Sequence, residues 1–140
     1  MPFRILMAED DPDDRMLLEQ ALKDVHLPVE LRFVEDGEDL MCYLHRRGRY
    51  SNPAGFPLPT IILLDLNMPR KDGRQALAEI KADPDLQKIP VIVWTTSDLD
   101  EDIERCREAG ADTYITKPMS YNGILETIED LCRKWGGYAL

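Results

Sequence analysis

The sequence has no long apolar run, few cysteines and no recognisable export signal. A membrane-spanning helix needs about 18 or more consecutive apolar residues, and no run here approaches that length, so we expect no membrane association. The opening residues, MPFRILMAED, become acidic too early for a signal peptide, which predicts a cytoplasmic protein. The odd number of cysteines, three, favours reduced thiols, and Cys106 and Cys132 fall in helical patterns where buried positions are expected.

Basic residues are also scarce, since 17 lysines and arginines accompany 27 aspartates and glutamates, for a formal net charge of −10. Nucleic-acid binding depends on cations that neutralise phosphates, so this composition argues against a DNA- or RNA-binding protein. Clustered acids can instead form a metal site. The apolar fraction of 44% and the length of 140 residues predict one folded domain over residues 1–140, without an output domain.

The most informative stretch is residues 60–73, TIILLDLNMPRKDG, in which an apolar run ends at Asp65. A short apolar run without alternation is typical of a strand buried on both faces of a parallel sheet. Pro69 and Gly73 then predict a stiff turn before the next helix. A single acid after a strand often only caps a turn, so the role of Asp65 depends on which residues stand at the ends of the other strands.

Strand and helix patterns alternate five times along the chain. The strands are predicted at residues 3–8, 29–34, 60–65, 91–95 and 112–116, with a helix after each. Short connections and right-handed crossovers then require an α/β, doubly wound parallel sheet with helices on both faces. Five strands fit the flavodoxin-like order 2-1-3-4-5, which places a crevice between the first and third strands.

The connections that follow the first strand and precede the third strand have distinctive sequences. Pro12, Asp13 and Asp14 mark the start of the first helix, where proline and acidic residues are favourable. Residues 46–59 form an extended loop before the third strand, rich in proline and longer than most connections in compact domains.

Polar residues come directly after four of the predicted strands: Glu9 and Asp10 after the first, Asp65 after the third, Thr95 after the fourth and Lys117 after the fifth. The carboxyl ends of parallel strands meet at one edge of a sheet, so these side chains should share the crevice. Three neighbouring carboxylates repel one another unless a cation joins them, and all-oxygen ligation suits Mg²⁺, or Mn²⁺ in vitro. With the Lys117 ammonium and the Thr95 hydroxyl, such a site could stabilise a phosphoryl group transferred to Asp65.

This order of residues resembles the receiver domain of two-component response regulators over nearly the whole chain. The resemblance implies an acidic pair at Glu9 and Asp10, with Glu9 reaching the metal through water, and a phosphoacceptor at Asp65. It also implies a metal-binding backbone carbonyl at Asn67, a switch hydroxyl at Thr95, an aromatic rotamer switch at Tyr114 and a phosphate-binding lysine at Lys117.

A narrower resemblance rests on RRGRYSNPAGFPLP before the third strand and LDLNMPRKDGRQALAEIKADPDL from its end onward. Both are similar to the stand-alone regulators of bacterial phytochrome histidine kinases. This resemblance implies a sensor histidine kinase, a bacteriophytochrome, as the partner, and a signalling protein that is not an enzyme. We also expect a homodimer through the fourth and fifth helices or the C-terminal tail.

The interpretation that we favour is a phosphorylation-controlled binding module that signals through a switched surface. A phosphate sink or a relay intermediate is the alternative within the same family. A phosphatase of the haloacid dehalogenase type would need an acid where Asn67 stands, and a flavodoxin-like carrier would not place Glu9, Asp10 and Asp11 in a phosphate-binding loop.

Overall fold

The computed structural model describes residues 3–68 and 72–137, which form a five-stranded parallel sheet with helices on both faces. In chain order the elements are β1 (Phe3–Ala8), α1 (Pro12–Asp24), β2 (Val29–Val34), α2 (Gly37–Leu44), a 3₁₀ turn (Gly48–Tyr50), β3 (Ile61–Leu64), α3 (Gly73–Ala82), β4 (Val91–Thr95), α4 (Asp100–Glu108), β5 (Thr113–Thr116) and α5 (Tyr121–Gly136). The strand order β2-β1-β3-β4-β5 confirms the predicted doubly wound fold.

The ends of the elements differ slightly from the sequence prediction. The helix α1 stops at Asp24 rather than near residue 26, because His26 has a positive φ of 56° that ends helical geometry. The strands β3 and β5 are shorter than predicted, since Asp65 and Asp112 lie just outside them. The predicted turn at Pro69 and the C-terminal tail, residues 138–140, lie outside the described residues.

The sheet separates two apolar layers. The strands β3 and β4 are buried along their whole length, whereas β2 alternates between exposed and half-buried positions over most of its length, as expected for an edge strand. One layer packs α2 and α3 against the sheet and the other packs α1 and α5 against the opposite face. Cys106 and Cys132 are buried and free, as predicted. Among the described helices, none has the length and hydrophobicity that crossing a bilayer demands.

Aromatic rings attach the connection between α2 and β3 to the rest of the domain. The ring of Tyr50 lies 5.0 Å from that of Tyr43 and 5.1 Å from that of Phe56, measured between centroids. The Tyr43 hydroxyl donates a hydrogen bond to the carbonyl of Pro57 (2.8 Å), and the Tyr50 hydroxyl donates to Asp39 (2.8 Å). Residues 46–59 therefore fold back against α2 and include a turn of 3₁₀ helix.

A lysine joins three segments at the amino end of the sheet. The Lys81 ammonium, at the end of α3, donates to the carbonyls of Gln87 (3.1 Å) and Ile89 (3.0 Å) and to the Asp112 carboxylate (3.0 Å). Asp112 also accepts a hydrogen bond from the backbone N–H of Val91 (2.8 Å). The lysine thus ties α3 to the segments that lead into β4 and β5.

Candidate functional site

The carboxyl ends of β1 and β3 bring three acids together. Glu9 follows β1 and Asp65 follows β3, and the parallel register between these strands places them side by side. Ligand oxygens of Glu9, Asp10 and Asp65 all lie within 4.8 Å of one another. Glu9 and Asp65 are buried, with 1% and 6% of their surface exposed, whereas Asp10 is exposed. This is the convergence that the strand order predicts.

Lys117 reaches into this acidic group from the end of β5. Its ammonium nitrogen lies 2.7 Å from Oε1 of Glu9, 2.9 Å from Oδ2 of Asp14 and 3.4 Å from Oδ2 of Asp65. The backbone N–H of Lys117 donates to the carbonyl of Thr95 (2.7 Å), which fixes the lysine beside the end of β4. Asp14 is a member of the site that the sequence interpretation missed, because an acid in the first turn of a helix is ordinary.

The electrostatics of the site reflect an excess of negative charge. The pKa of the Glu9 carboxyl is raised to about 8, because burial and the adjacent Asp65 raise it by more than the hydrogen bond from Lys117 lowers it. Burial alone would lower the pKa of Lys117, but the hydrogen bonds to Glu9 and Asp14 and the charge of Asp65 outweigh it, so this pKa is raised. The acids therefore hold a charged lysine and, at neutral pH, an extra proton.

Backbone groups and an arginine fix the position of Glu9. The Arg15 guanidinium, from α1, donates to the carbonyl of Glu9 (2.6 Å) and to the carbonyl of Val34 (3.2 Å), and it lies over the ring of Phe33. The N–H of Asp11 donates to the Glu9 carboxylate (3.3 Å). Arg15 therefore links the ends of β1 and β2 to α1, a role that no local sequence signal indicated.

Backbone groups of Asn67 and Gly73 lie close to Asp65 and Leu66, at the end of β3. The N–H of Asn67 donates to Oδ1 of Asp65 (3.1 Å), and the N–H of Gly73 donates to the carbonyl of Leu66 (3.0 Å). A Cβ placed on Gly73 would lie 2.7 Å from the Cα of Leu66 and still closer to the carbonyl oxygen of Asp65. Only glycine fits at the start of α3, which keeps the helix against the strand end.

Thr95 and Tyr114 meet at Ser97, in the loop after β4. Thr95 is fully buried, and its hydroxyl oxygen accepts a long hydrogen bond from the N–H of Ser97 (3.5 Å). The Tyr114 hydroxyl donates to the carbonyl of Ser97 (2.9 Å). The Ser97 hydroxyl donates to Asp102 in α4 (2.6 Å), and Arg74 in α3 lies 3.6 Å from the same carboxylate. These contacts connect the end of β4 to α3, α4 and β5.

The donor set suits a hard divalent cation. The acids offer only oxygen ligands, they lie within chelating distance, and their combined charge exceeds that of the lysine. Oxygen-only sites with room for water are typical of Mg²⁺ and Mn²⁺. Because a cation would replace the extra proton on Glu9, the chemistry of these residues fits the metal that the sequence predicts.

Comparison with known proteins identifies the family of this chain. The family described as response regulator receiver domain matches residues 5–129. The response regulator Rcp1 of Synechocystis sp. is 39% identical over 134 residues, which cover 96% of this chain and 89% of that protein.

Two solved structures are similar in both fold and sequence. The phosphorylated cyanobacterial phytochrome response regulator RcpA matches with a TM-score of 0.89 at 37% identity, covering 100% of this chain and 98% of that chain. The Mn²⁺-bound form of Rcp1 matches with a TM-score of 0.87 at 37% identity, covering 99% of this chain and 98% of that chain.

Proposed function

The chain belongs to the response regulator receiver family, and from that premise we propose that it accepts a phosphoryl group on Asp65 from a histidine kinase. Receiver domains are signalling proteins that bind a divalent metal and work with histidine kinases. The observation that carries the assignment to Asp65 is its position between the acids Glu9 and Asp10 and the ammonium of Lys117.

We assign Mg²⁺ to the acidic group, with Mn²⁺ as a substitute in vitro. The carboxylates of Asp10 and Asp65 and the backbone carbonyl of Asn67 would be direct ligands, and Glu9 would act through water. Bound Mg²⁺ would neutralise charge on the oxygens of the transferred phosphoryl group. The Mn²⁺-bound form of the similar protein Rcp1 supports this assignment.

In the transfer step, a carboxylate oxygen of Asp65 forms a bond to the phosphorus of the kinase phosphohistidine. The P–N bond breaks, its electron pair stays on the imidazole nitrogen, and the neutral imidazole is restored by a proton from solvent. Lys117 stabilises the charge on the phosphoryl oxygens, and it needs only a short shift because it already lies 3.4 Å from Asp65. The product is an aspartyl phosphate, and the protein is changed rather than acting as an enzyme on a separate substrate.

The readout passes through the loop after β4. We propose that Thr95 turns toward the phosphoryl group and that Tyr114 changes its contact with Ser97, which alters the face formed by α4, β5 and α5. The phosphoryl group must favour one of two conformers by a few kcal/mol for this switch to be effective. The shared contacts of Thr95 and Tyr114 with Ser97 support a coupled movement.

The partner that we propose is a bacteriophytochrome histidine kinase, because the similar protein RcpA is described as a phytochrome response regulator. Since phosphohistidine is made from ATP, we expect the exchange to take place in the cytoplasm. We also propose a homodimer, either through α4 and α5, which belong to the switched face, or through the tail at residues 138–140 outside the described structure. A phosphotransfer profile against histidine kinases that include a bacteriophytochrome tests the partner.

The decisive test of the acceptor is Asp65→Asn. Incubated with a phosphorylated kinase and Mg²⁺, this variant should lose at least about 100-fold of the label transfer, because an amide cannot form the acyl phosphate. Asp85→Asn removes the same charge from an exposed position in the segment before β4 and should be labelled like the natural protein. Undiminished labelling of Asp65→Asn would reject the assignment.

A further inference from the structure

We propose that Asp14 is a positioning residue that competes with the phosphoryl group for Lys117 and thereby disfavours the phosphorylated state. This inference rests on the proposed function, since it concerns the same site. Asp14, in the first turn of α1, would therefore lower the affinity of the site for a phosphoryl group.

The number of hydrogen bonds that an ammonium can donate limits the contacts of Lys117. This side chain has three N–H groups, and it has a carboxylate partner for each: Glu9 at 2.7 Å, Asp14 at 2.9 Å and Asp65 at 3.4 Å. The contact with Asp65 is the longest of the three. Glu9 and Asp14 therefore draw the ammonium away from the residue whose modification it must stabilise.

Phosphorylation of Asp65 would add strong acceptor oxygens beside the ammonium. To bond them well, Lys117 must weaken one of its shorter contacts. Glu9 is only 1% exposed, so without Lys117 this buried group would lose its shortest hydrogen bond (2.7 Å) and keep only the longer one from the N–H of Asp11 (3.3 Å). The side chain of Asp14 is 32% exposed and lies in the first turn of α1, where water and the helix N-terminus can compensate for the loss. Asp14 is therefore the partner that releases the lysine.

Removing the charge of Asp14 should make that release easier. In Asp14→Asn the amide attracts the ammonium less strongly than the carboxylate does, so less free energy is lost when Lys117 turns to the phosphoryl group. A partly exposed ion pair is worth little, so we expect roughly a threefold gain in affinity for a phosphoryl mimic.

The experiment is an isothermal calorimetric titration, in which beryllofluoride is added to the natural protein and to each variant in saturating Mg²⁺. Asp14→Asn should bind beryllofluoride more tightly than the natural protein, whereas Asp14→Glu, which restores the carboxylate, should return to the natural affinity. Asp13→Asn is the matched control, because it removes the same charge from the same turn at an exposed position. The Mg²⁺ affinity, measured without beryllofluoride, should differ little between Asp14→Asn and Asp13→Asn, since Asp14 is not one of the clustered metal-binding acids.

The possible results distinguish the competition from the proposed function. If the natural protein binds beryllofluoride and Asp14→Asn binds no more tightly than Asp13→Asn, the competition is refuted and the proposed function stands. If Asp14→Asn binds beryllofluoride more weakly than the natural protein, Asp14 stabilises the phosphorylated state, which is the opposite of the proposed effect. If the natural protein binds no beryllofluoride in Mg²⁺, the proposed function itself fails.

Discussion

Two lysines at opposite ends of the sheet have similar surroundings and different chemistry. The side chains of Lys117 and Lys81 are 13% and 15% exposed, and each ammonium has three oxygen acceptors. At Lys81 two of the acceptors are neutral carbonyls and the third is the carboxylate of Asp112. At Lys117 all three acceptors are carboxylates. Burial and hydrogen-bond number therefore do not distinguish the two lysines, but charge balance does.

The consequence of that difference is functional. One ammonium and one carboxylate neutralise each other, so the contacts of Lys81 are complete and serve to hold α3 near β4 and β5. The three carboxylates around Lys117 carry more negative charge than one ammonium can neutralise, and Asp10 adds to this excess. Such an excess is costly in a buried site unless a proton or a metal ion compensates it. We infer that the unbalanced lysine marks the reactive end of the sheet.

The largest expected effect is on phosphorylation, from removal of the unbalanced lysine. Lys117→Met should slow phosphoryl transfer from a kinase by about 100-fold or more, because a preorganised positive group beside the reacting oxygens is lost. The rate of label transfer with Mg²⁺ measures it, and Lys88→Met, an exposed lysine in the segment before β4, is the control. A reduction of only a few-fold would mean that the ammonium is structural.

The balanced lysine should show the opposite pattern. Lys81→Met should lower the free energy of unfolding by about 1–3 kcal/mol, because two carbonyls and the Asp112 carboxylate lose a donor. Denaturant titration measures the change, with Lys88→Met again as the control, and label transfer to the folded variant should remain close to normal. The contrast between the lysines would break down if Lys81→Met lost transfer as severely as Lys117→Met.

The smallest effect comes from the pKa of Glu9. Since this pKa is about 8 in the folded protein, Glu9 keeps a proton that the unfolded chain has already lost at neutral pH. The folded state then binds more protons, so without metal the free energy of unfolding should fall as the pH rises, by up to about 2 kcal/mol between about pH 6.5 and 8.5.

Glu9→Gln supplies the reference for that measurement, because its amide has no such titration. Denaturant titrations of both proteins in chelator, at both pH values, isolate the contribution of Glu9. Mg²⁺ should reduce the loss at high pH by binding the ionised form. Equal pH dependence in the two proteins would show that Glu9 is not the group that keeps the proton.

The fold was predictable because its signals are local. Unbroken apolar runs located β3 and β4, and the alternating residues of β2 located an edge strand. The crossover rules then required a parallel sheet, and the number of strands favoured the observed order. The convergence of Glu9, Asp65 and Lys117 was predictable for the same reason, because each comes directly after a strand. The roles given to them, and to Asn67, Thr95 and Tyr114, remain predictions.

The parts that could not be predicted involve helix side chains, whose distant partners are not indicated by a position at the end of a strand. Asp14 and Lys117 lie 103 positions apart, and Lys81 and Asp112 lie 31 apart. In the sequence Asp14 is an ordinary acid of a helix start, and Lys81 is an ordinary lysine near a helix end. The periodicity of the sequence does not indicate such pairs, because the packing of α1 and α3 against the sheet determines which side chains meet.

The contact at Gly73 has a mechanical consequence. Because Gly73 has no side chain, the backbone at the beginning of α3 packs directly against the backbone of Asp65 and Leu66. If phosphorylation at the proposed acceptor Asp65 shifts its main chain, we expect the first turn of α3 to move with it, because the two backbones are in direct contact.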